Sequence, residues 1–512
     1  MFDIYEICRF FKKQFTRTDV LMIIGLIGLF LLTRLINLDK WPIFSDEGIY
    51  IRWAKVAWRD ASWRFISLTD GRQPLQTWAT IPFLKLFPEN ALLAGRLFAV
   101  TMGSITLTGV FTMMFYLWGK RAAFLGALLY ICMPYFVFYD RMALVDSAVN
   151  AGFVWVLFLS IVMARTLRLD IAIILGITAG LSLLAKSSAR MFMLLTVLAP
   201  VLYLGNPFKK FLKKNINYLF LFGIVVVIAT VLYNVQRLSP FFHFVALKNT
   251  TFVMTFDEFK SNPFMNFWRN IQLIPQYTIW EAGWFIFLFS VAGFYKLFRS
   301  DKPLFLYLMA YVVFPFIALS FFAKVVFPRY LIHFGMLYLI SATYFFTMHK
   351  ARRDAAIMYV LLIGSMIVLN LPFWFAPSYA SFPPVDRGQY VEGVSAVWGA
   401  KDLMEHVRKE SQQKPALVLA EGNFGLVADV LDVYLQEGDQ IEIKGLWPLE
   451  EKHLIEYQPE LAKRTVFIVY SHRQEFPPGW PHEFVTAYSK PNSDKKLYLY
   501  KLTQVAIPEA TQ

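Results

Sequence analysis

The run Val20-Leu21-Met22-Ile23-Ile24-Gly25-Leu26-Ile27-Gly28-Leu29-Phe30-Leu31-Leu32, continuing through Thr33-Arg34-Leu35-Ile36-Asn37, is long enough to cross a bilayer without a break. A helix rises 1.5 Å per residue, so about 20 apolar residues span the hydrocarbon core. A basic stretch from Arg9 to Arg17 precedes it, and no small-residue cleavage pattern follows it, which predicts a retained signal anchor. About ten residues further on stand two adjacent acids, in Trp41-Pro42-Ile43-Phe44-Ser45-Asp46-Glu47-Gly48-Ile49-Tyr50.

The same apolar signal recurs. Eleven segments are read, near 20–37, 91–118, 122–139, 143–164, 170–185, 189–205, 216–234, 281–298, 303–322, 326–347 and 355–375. A composition of 57% hydrophobic and only 17% charged residues excludes an ordinary soluble protein. Orientation follows from Lys and Arg, which short cytoplasmic loops retain. With the N-terminus inside, the inner loops collect Arg9, Lys12, Lys13, Arg17, Lys120, Arg121, Arg165, Arg168, Lys209, Lys210, Lys213, Lys214, Lys296, Arg299, Lys302, Lys350, Arg352 and Arg353. The short outer loops hold only Arg141, Lys186, Arg190, Lys324 and Arg329. The first loop (38–90), a second large loop (235–280) and everything after about 376 then lie outside. The net charge of +14 is mostly this bias, and inner-loop cations meeting anionic headgroups account for it without a nucleic-acid partner. Cys8 and Cys132, one cytoplasmic and one within a span, exclude a disulfide or a cysteine metal site.

Two domains are expected: a transmembrane domain over 1–375 and an extracytoplasmic α/β domain over 376–512, after the proline-rich break at Pro372, Pro377, Pro383 and Pro384. In the second, strands are predicted at Ala416–Ala420, Ile441–Gly445, Thr465–Tyr470 and Lys496–Leu502, with helices near 396–411, 424–436 and 449–463. Its Glu421-Gly422-Asn423-Phe424-Gly425 turn lacks nucleotide-binding glycine spacing. His406, His453, His472 and His482 lack metal-ligand spacing.

In the first loop, Ile49, Trp53, Val56 and Ala57 alternate with Arg52, Lys55 and Arg59, predicting an amphipathic helix on the membrane surface. The acidic pair then has two readings. Ser45 or Asp46 caps that helix, or the acids do chemistry. Neighbouring helical residues diverge by about 100°, so Asp46 and Glu47 are expected to differ in role. The outer cations Arg141, Lys186, Arg190 and Arg329 read either as lipid-phosphate ligands or as snorkelling side chains. Asp146, at the start of an apolar segment, needs a cationic partner: Arg141, another cation or a substrate group. Arg96 poses the same question.

These landmarks, in order, resemble the GT-C glycosyltransferases that use polyprenyl-phosphate sugars, in particular the protein O-mannosyltransferase and lipid A aminoarabinose transferase group. They are Asp46-Glu47, Arg72-Gln73-Pro74-Leu75, Arg96-Leu97, the Asp140-to-Asp146 stretch, the Gly180-to-Ser187 stretch ending in Lys186-Ser187, and Pro328-Arg329-Tyr330-Leu331, within residues 20–350. Gln73 stands where the family often has a proline, and Ser187 where it often has a glycine. The resemblance implies a polytopic α-helical GT-C fold and an inverting transfer of sugar from a polyprenyl-phosphate donor to a protein, lipid or glycan acceptor. It places this at the outer face of the plasma (inner) membrane. It makes Asp46 the general base with Glu47 in support, Lys186 and Arg329 the ligands of the departing phosphate, Tyr330 a neighbouring donor, and Arg141 and Asp146 an ion pair shaping the cavity beside Arg96. No metal constellation is evident; relatives with related folds use a divalent ion, so no cofactor is assigned and a divalent metal stays open. Two other classes fit the composition: a flippase for lipid-linked sugars, against which stands the lack of paired broken helices in two halves, and a scaffold, which leaves the outer charges unexplained.

Overall fold

The computed structural model describes residues 14–504. Cys8, Arg9, Lys12 and Lys13, and with them part of the N-terminal charge bias, lie outside the described residues. The first helix, α1 (Arg17–Leu35), begins with a reciprocal cap in which Asp19 N donates to Thr16 Oγ1 (3.2 Å) and Thr16 N to Asp19 Oδ2 (2.8 Å). Lys120 binds the same Asp19 carboxylate at 2.8 Å.

The protein is an integral membrane protein built on a helical bundle. Among the described residues, seven helices are long and apolar enough to cross a membrane, eight if the bent pair Phe267–Ala282 and Trp284–Ser300 counts as one span. That pair turns through 107° at Gly283, whose φ of +91° is costly for residues with a Cβ. Each of the eleven expected segments coincides with helix, but several are short or interrupted. The segment at 122–139 is split into Lys120–Cys132 and Pro134–Tyr139, because Pro134 cannot continue the hydrogen-bond ladder. The segments near 170–185 and 189–205 are shorter apolar helices. Two further helices, α2 (Ser45–Arg59) and α3 (Ala91–Trp118), lead to α4 (Asp146–Thr166). Burial ranks the bundle: 89% of the apolar window of α4 is inside the protein against 17% for α1, so α4 is a central helix and α1 lies at the rim.

After the last long helix (Arg352–Phe375) the chain builds a five-stranded sheet of order β4-β3-β5-β7-β6. The strands β3 (Ala416–Glu421), β4 (Ile441–Leu446) and β5 (Thr465–Tyr470) are parallel, and β7 (Lys496–Leu502) runs antiparallel between β5 and β6 (His482–Ser489). The edge strand β6 was not expected; it is partly exposed on both faces, so His482, Glu483 and Thr486 interrupt the apolar alternation that marks a half-buried strand. The expected helix near 396–411 begins only at Ala400. Ala396–Val397 is instead a short strand, β2, paired antiparallel with β1 (Ile43–Phe44) through Ile43 and Val397. The expected helix near 424–436 is the shorter α5 (Val427–Val433), and that near 449–463 divides into Glu451–Glu456 and a 3-10 turn at Gln458–Ala462.

The amphipathic α2 does not present its cations to a membrane surface as expected. Gly48 meets α5 so closely that an added Cβ would lie 2.9 Å from Val430 Cγ2. Arg52 pairs with Asp429 (3.0 Å) and Lys55 with Asp432 (3.2 Å). The apolar face of α2, including Ile49, Trp53, Ala54 and Ala57, is buried. Carboxylates on α5 match the cations on α2, so helix α5 of the sheet region covers them.

Candidate functional site

Asp46 lies in the first turn of α2, which starts where the β1–β2 ladder ends; Ser45 N donates to Ser395 O at 2.9 Å. Neither Ser45 nor Asp46 caps the helix. Glu47 does so from inside it, its Oε2 accepting the Phe44 N–H at 3.0 Å. Asp46 is left free to turn toward cations from distant parts of the chain. Its Oδ1 meets Arg72 Nη2 at 3.2 Å and its Oδ2 meets Arg329 Nη2 at 3.0 Å. Arg72 also holds Asp70 (3.0 Å), which binds Lys248 from the second loop at 2.7 Å. Burial alone would raise the Asp46 carboxyl, but the Arg72 and Arg329 guanidiniums beside it win, lowering it to about 2.

Arg329 sits on the 3-10 turn Pro328–Leu331, stacked among Phe44, Phe327 and Tyr330 at 5.2–5.5 Å. Lys186, at the end of the helix Leu169–Ala185, places its ammonium 4.0 Å from the Tyr330 ring centroid and 2.8 Å from Asp146 Oδ1. One loop thus offers a guanidinium and an aromatic face, and Lys186 closes the group. Gln73 donates to Ser187 at 2.6 Å, joining the first loop to the residue after Lys186. The result is a partly exposed cluster in which four cations, Arg72, Arg329, Lys186 and Lys248, share three carboxylates, Asp46, Asp70 and Asp146, at the end of the bundle where the sheet packs.

Other expected members lie elsewhere. Glu47 is fully buried and receives a bidentate pair from Arg96, both contacts 2.9 Å, plus the Ala143 N–H at 2.7 Å. Arg96 also donates to the carbonyls of Leu38 and Pro42. The two are braces of the first loop rather than part of the Asp46 cluster. The expected Arg141–Asp146 ion pair is replaced. Arg141 donates to the carbonyls of Thr33 (3.0 Å), Arg34 (3.2 Å) and Asn37 (3.1 Å). A helix end leaves such carbonyls without intrahelical donors and carries partial negative charge, which draws the guanidinium away from Asp146. Its neighbour Asp140 binds Arg34 at 3.0 Å, so both residues hold the end of α1.

Sequence reasoning missed several groups. Arg72 was noted as a landmark without a role, and Asp70 and Lys248 were not singled out. The Asp70-Gly71-Arg72 triplet, with both charge signs in a short outer loop, was the available signal. Asp386, on the short helix Pro384–Arg387, is buried and accepts from the Tyr139 hydroxyl; burial pushes its carboxyl up, against the pull of Tyr139 and Arg329. Among the described residues, no group of three or more His, Cys, Asp or Glu side chains is placed to hold a metal ion.

This arrangement of helices and sheet is shared with solved membrane-protein structures of low sequence identity. Residues 72–234 match the family model of dolichyl-phosphate-mannose-protein mannosyltransferases, as the landmarks from Arg72 to Lys186 led one to expect. ArnT from Cupriavidus metallidurans in the apo state has a TM-score of 0.61 at 13% identity, the match covering 96% of this chain and 99% of that one. The same ArnT bound to undecaprenyl phosphate gives the same figures. The archaeal oligosaccharyltransferase AglB from Archaeoglobus fulgidus, in complex with an inhibitory peptide and a dolichol-phosphate, has a TM-score of 0.53 at 11% identity, over 90% of this chain and 70% of that one. No curated protein matches in sequence.

Proposed function

We propose that the protein is an inverting glycosyltransferase that moves a sugar from a polyprenyl-phosphate donor to an acceptor hydroxyl at the outer face of the membrane, with Asp46 as general base. The observation that carries this reading is the Asp46 carboxylate held between Arg72 and Arg329, with Lys186 and Tyr330 beside it. A base for the acceptor and cations for a leaving phosphate are the two things such a transfer requires. The family match over 72–234 and the likeness to a fold that in ArnT holds undecaprenyl phosphate support it.

In this reading the acceptor oxygen attacks the anomeric carbon and the bond from that carbon to the phosphate oxygen breaks, its electron pair leaving on the phosphate. The acceptor proton goes to Asp46. Arg329 and Lys186 stabilise the charge that develops on the leaving group, with Tyr330 alongside, and preorganised cations do this without reorganising water. Arg72 and Lys248 extend the same charged surface. The donor phosphate also tunes the base. Asp46 shares Arg329 with the incoming phosphate, so donor binding draws away one of the two guanidiniums that depress its carboxyl and makes it a stronger proton acceptor. The base is thereby at its strongest when donor is present. Glu47 takes part only by fixing the start of α2.

The reading carries with it a division at 375/376, eleven passages of the membrane counting the short helices, and an N-terminus inside, which puts Asp46 and the sheet on the outer side. The test is transfer of labelled sugar from polyprenyl-phosphate sugars in membranes containing wild type or Asp46→Asn. Transfer that survives the substitution undiminished removes Asp46 as base, and lipid translocation without transfer makes the protein a flippase.

A further inference from the structure

The parallel strand β3 leads into a turn that lies beside Asp46. The order β4-β3-β5 sends the chain from β3 to one neighbour and then back to the other side, so a crevice opens at the carboxyl ends of β3 and β5. Ligands of open α/β sheets bind at such points. Here the inner part of the crevice is already filled. Glu421, at the end of β3, accepts the backbone N–H groups of Ser471 (2.6 Å), His472 (2.5 Å) and Arg473 (3.1 Å). The amides that would bind an anion hold the chain's own carboxylate, which disfavours a phosphate there.

The outer part is the turn Gly422-Asn423-Phe424-Gly425. Gly422, Phe424 and Gly425 have φ of +68°, +59° and +84°. A bulky residue in the left-handed region is an outlier, and such strain collects at ligand sites. The strained residue leaves an apolar ring 60% exposed. Its neighbour Gly425 is so near the base that an added Cβ would lie 3.4 Å from Asp46 Oδ1. Asn423 donates to Gly445 O at 3.2 Å, fastening the turn to the end of β4, where Trp447 is 59% exposed.

We propose that this turn is the acceptor-side wall of the Asp46 site, and that the exposed Phe424 ring receives a carbohydrate acceptor. A pyranose presents weakly positive C–H groups on its ring face, which suit the negative face of an aromatic ring. The uncharged amide of Asn423 suits hydroxyls. Gly425 keeps the wall thin enough for an acceptor hydroxyl to reach Asp46. This proposal rests on the transferase reading above and specifies its acceptor class.

The test uses the full chain in lipid nanodiscs, with methyl glycosides of common hexoses as probes in ligand-observed saturation-transfer NMR and undecaprenyl phosphate binding measured in parallel. Wild type is expected to saturate the ring C–H protons of the glycosides. Phe424→Ala weakens that binding by about two- to tenfold, Phe424→Tyr retains it, and both variants bind undecaprenyl phosphate as wild type does. The proposal is overturned if wild type shows no saturation of the glycosides, or if Phe424→Ala matches it. Glycoside binding without undecaprenyl phosphate binding instead removes the donor reading and leaves this wall standing.

Discussion

Asp46 carries the account at the scale of single residues, and its neighbours determine how it titrates. Its carboxyl is lowered from 3.8 to about 2 by Arg72 and Arg329 acting against burial. A carboxylate with a depressed folded value contributes stability above its unfolded value, and that contribution is lost as pH falls through the folded value. The window here runs from about 4 down to about 2. Asp46 is therefore ionised across any working pH, and the acid limb of kcat/KM, which reports the free enzyme, is expected to show no inflection from Asp46 above pH ~4. Replacing Arg72 with Met removes one guanidinium and raises the carboxyl toward its ordinary range; an acid limb that moves upward in Arg72→Met is the measured sign. Asp46, Lys186 and Arg329 were legible as candidates because charges at the ends of apolar segments stand out, whereas Tyr330 entered only through the family resemblance. The partners of Arg141 and Asp146 were not, because proximity in sequence suggested a pair that helix-end carbonyls and Lys186 intercept.

Among elements, α2 is the hinge between the bundle and the sheet. Its N-terminal end is braced by Glu47 and Arg96, both side chains almost wholly buried. Removing one partner of such a pair strands a charge and costs about 3–5 kcal/mol. Glu47→Ala is thus expected to lower the thermal unfolding midpoint in detergent sharply, whereas Arg168→Ala, at the exposed pair with Asp170, moves it little. Gly48 gives a sharper test of docking. Gly48→Val places methyl groups against Val430, including its backbone at 3.0 Å, and is expected to part α2 from α5. Faster proteolysis within residues 376–504, with the bundle intact, is the readout. The amphipathic pattern of α2 showed in the sequence that one face is buried. What buries it was not legible, since an apolar stripe with flanking cations fits a bilayer as well as an acidic helix.

At the scale of the whole molecule, the membrane class and the places of the helices were legible from apolar runs, and the four strands β3, β4, β5 and β7 from theirs. Contacts between distant segments were not: Lys248 reaches Asp70, Val397 pairs with Ile43, and Gly425 approaches Asp46. The last two of these contacts bring the sheet region to the candidate site. Truncation after Phe375 would remove the strand partner of β1 and the cover of α2, so the shortened chain is expected to lose transfer even where it inserts into membranes; membrane fractionation together with the transfer assay checks both.

The central claim is that this fold uses Asp46 to pass sugar from a polyprenyl-phosphate donor. Its most direct measurement is label transfer by purified protein from polyprenyl-phosphate sugars to an envelope extract, run beside undecaprenyl phosphate binding, for wild type and Asp46→Asn. The account predicts transfer by wild type, a loss of about 10²- to 10⁴-fold in the variant, and lipid-phosphate binding kept in both. Undiminished transfer by Asp46→Asn, or lipid-phosphate binding absent from the wild type, would contradict it.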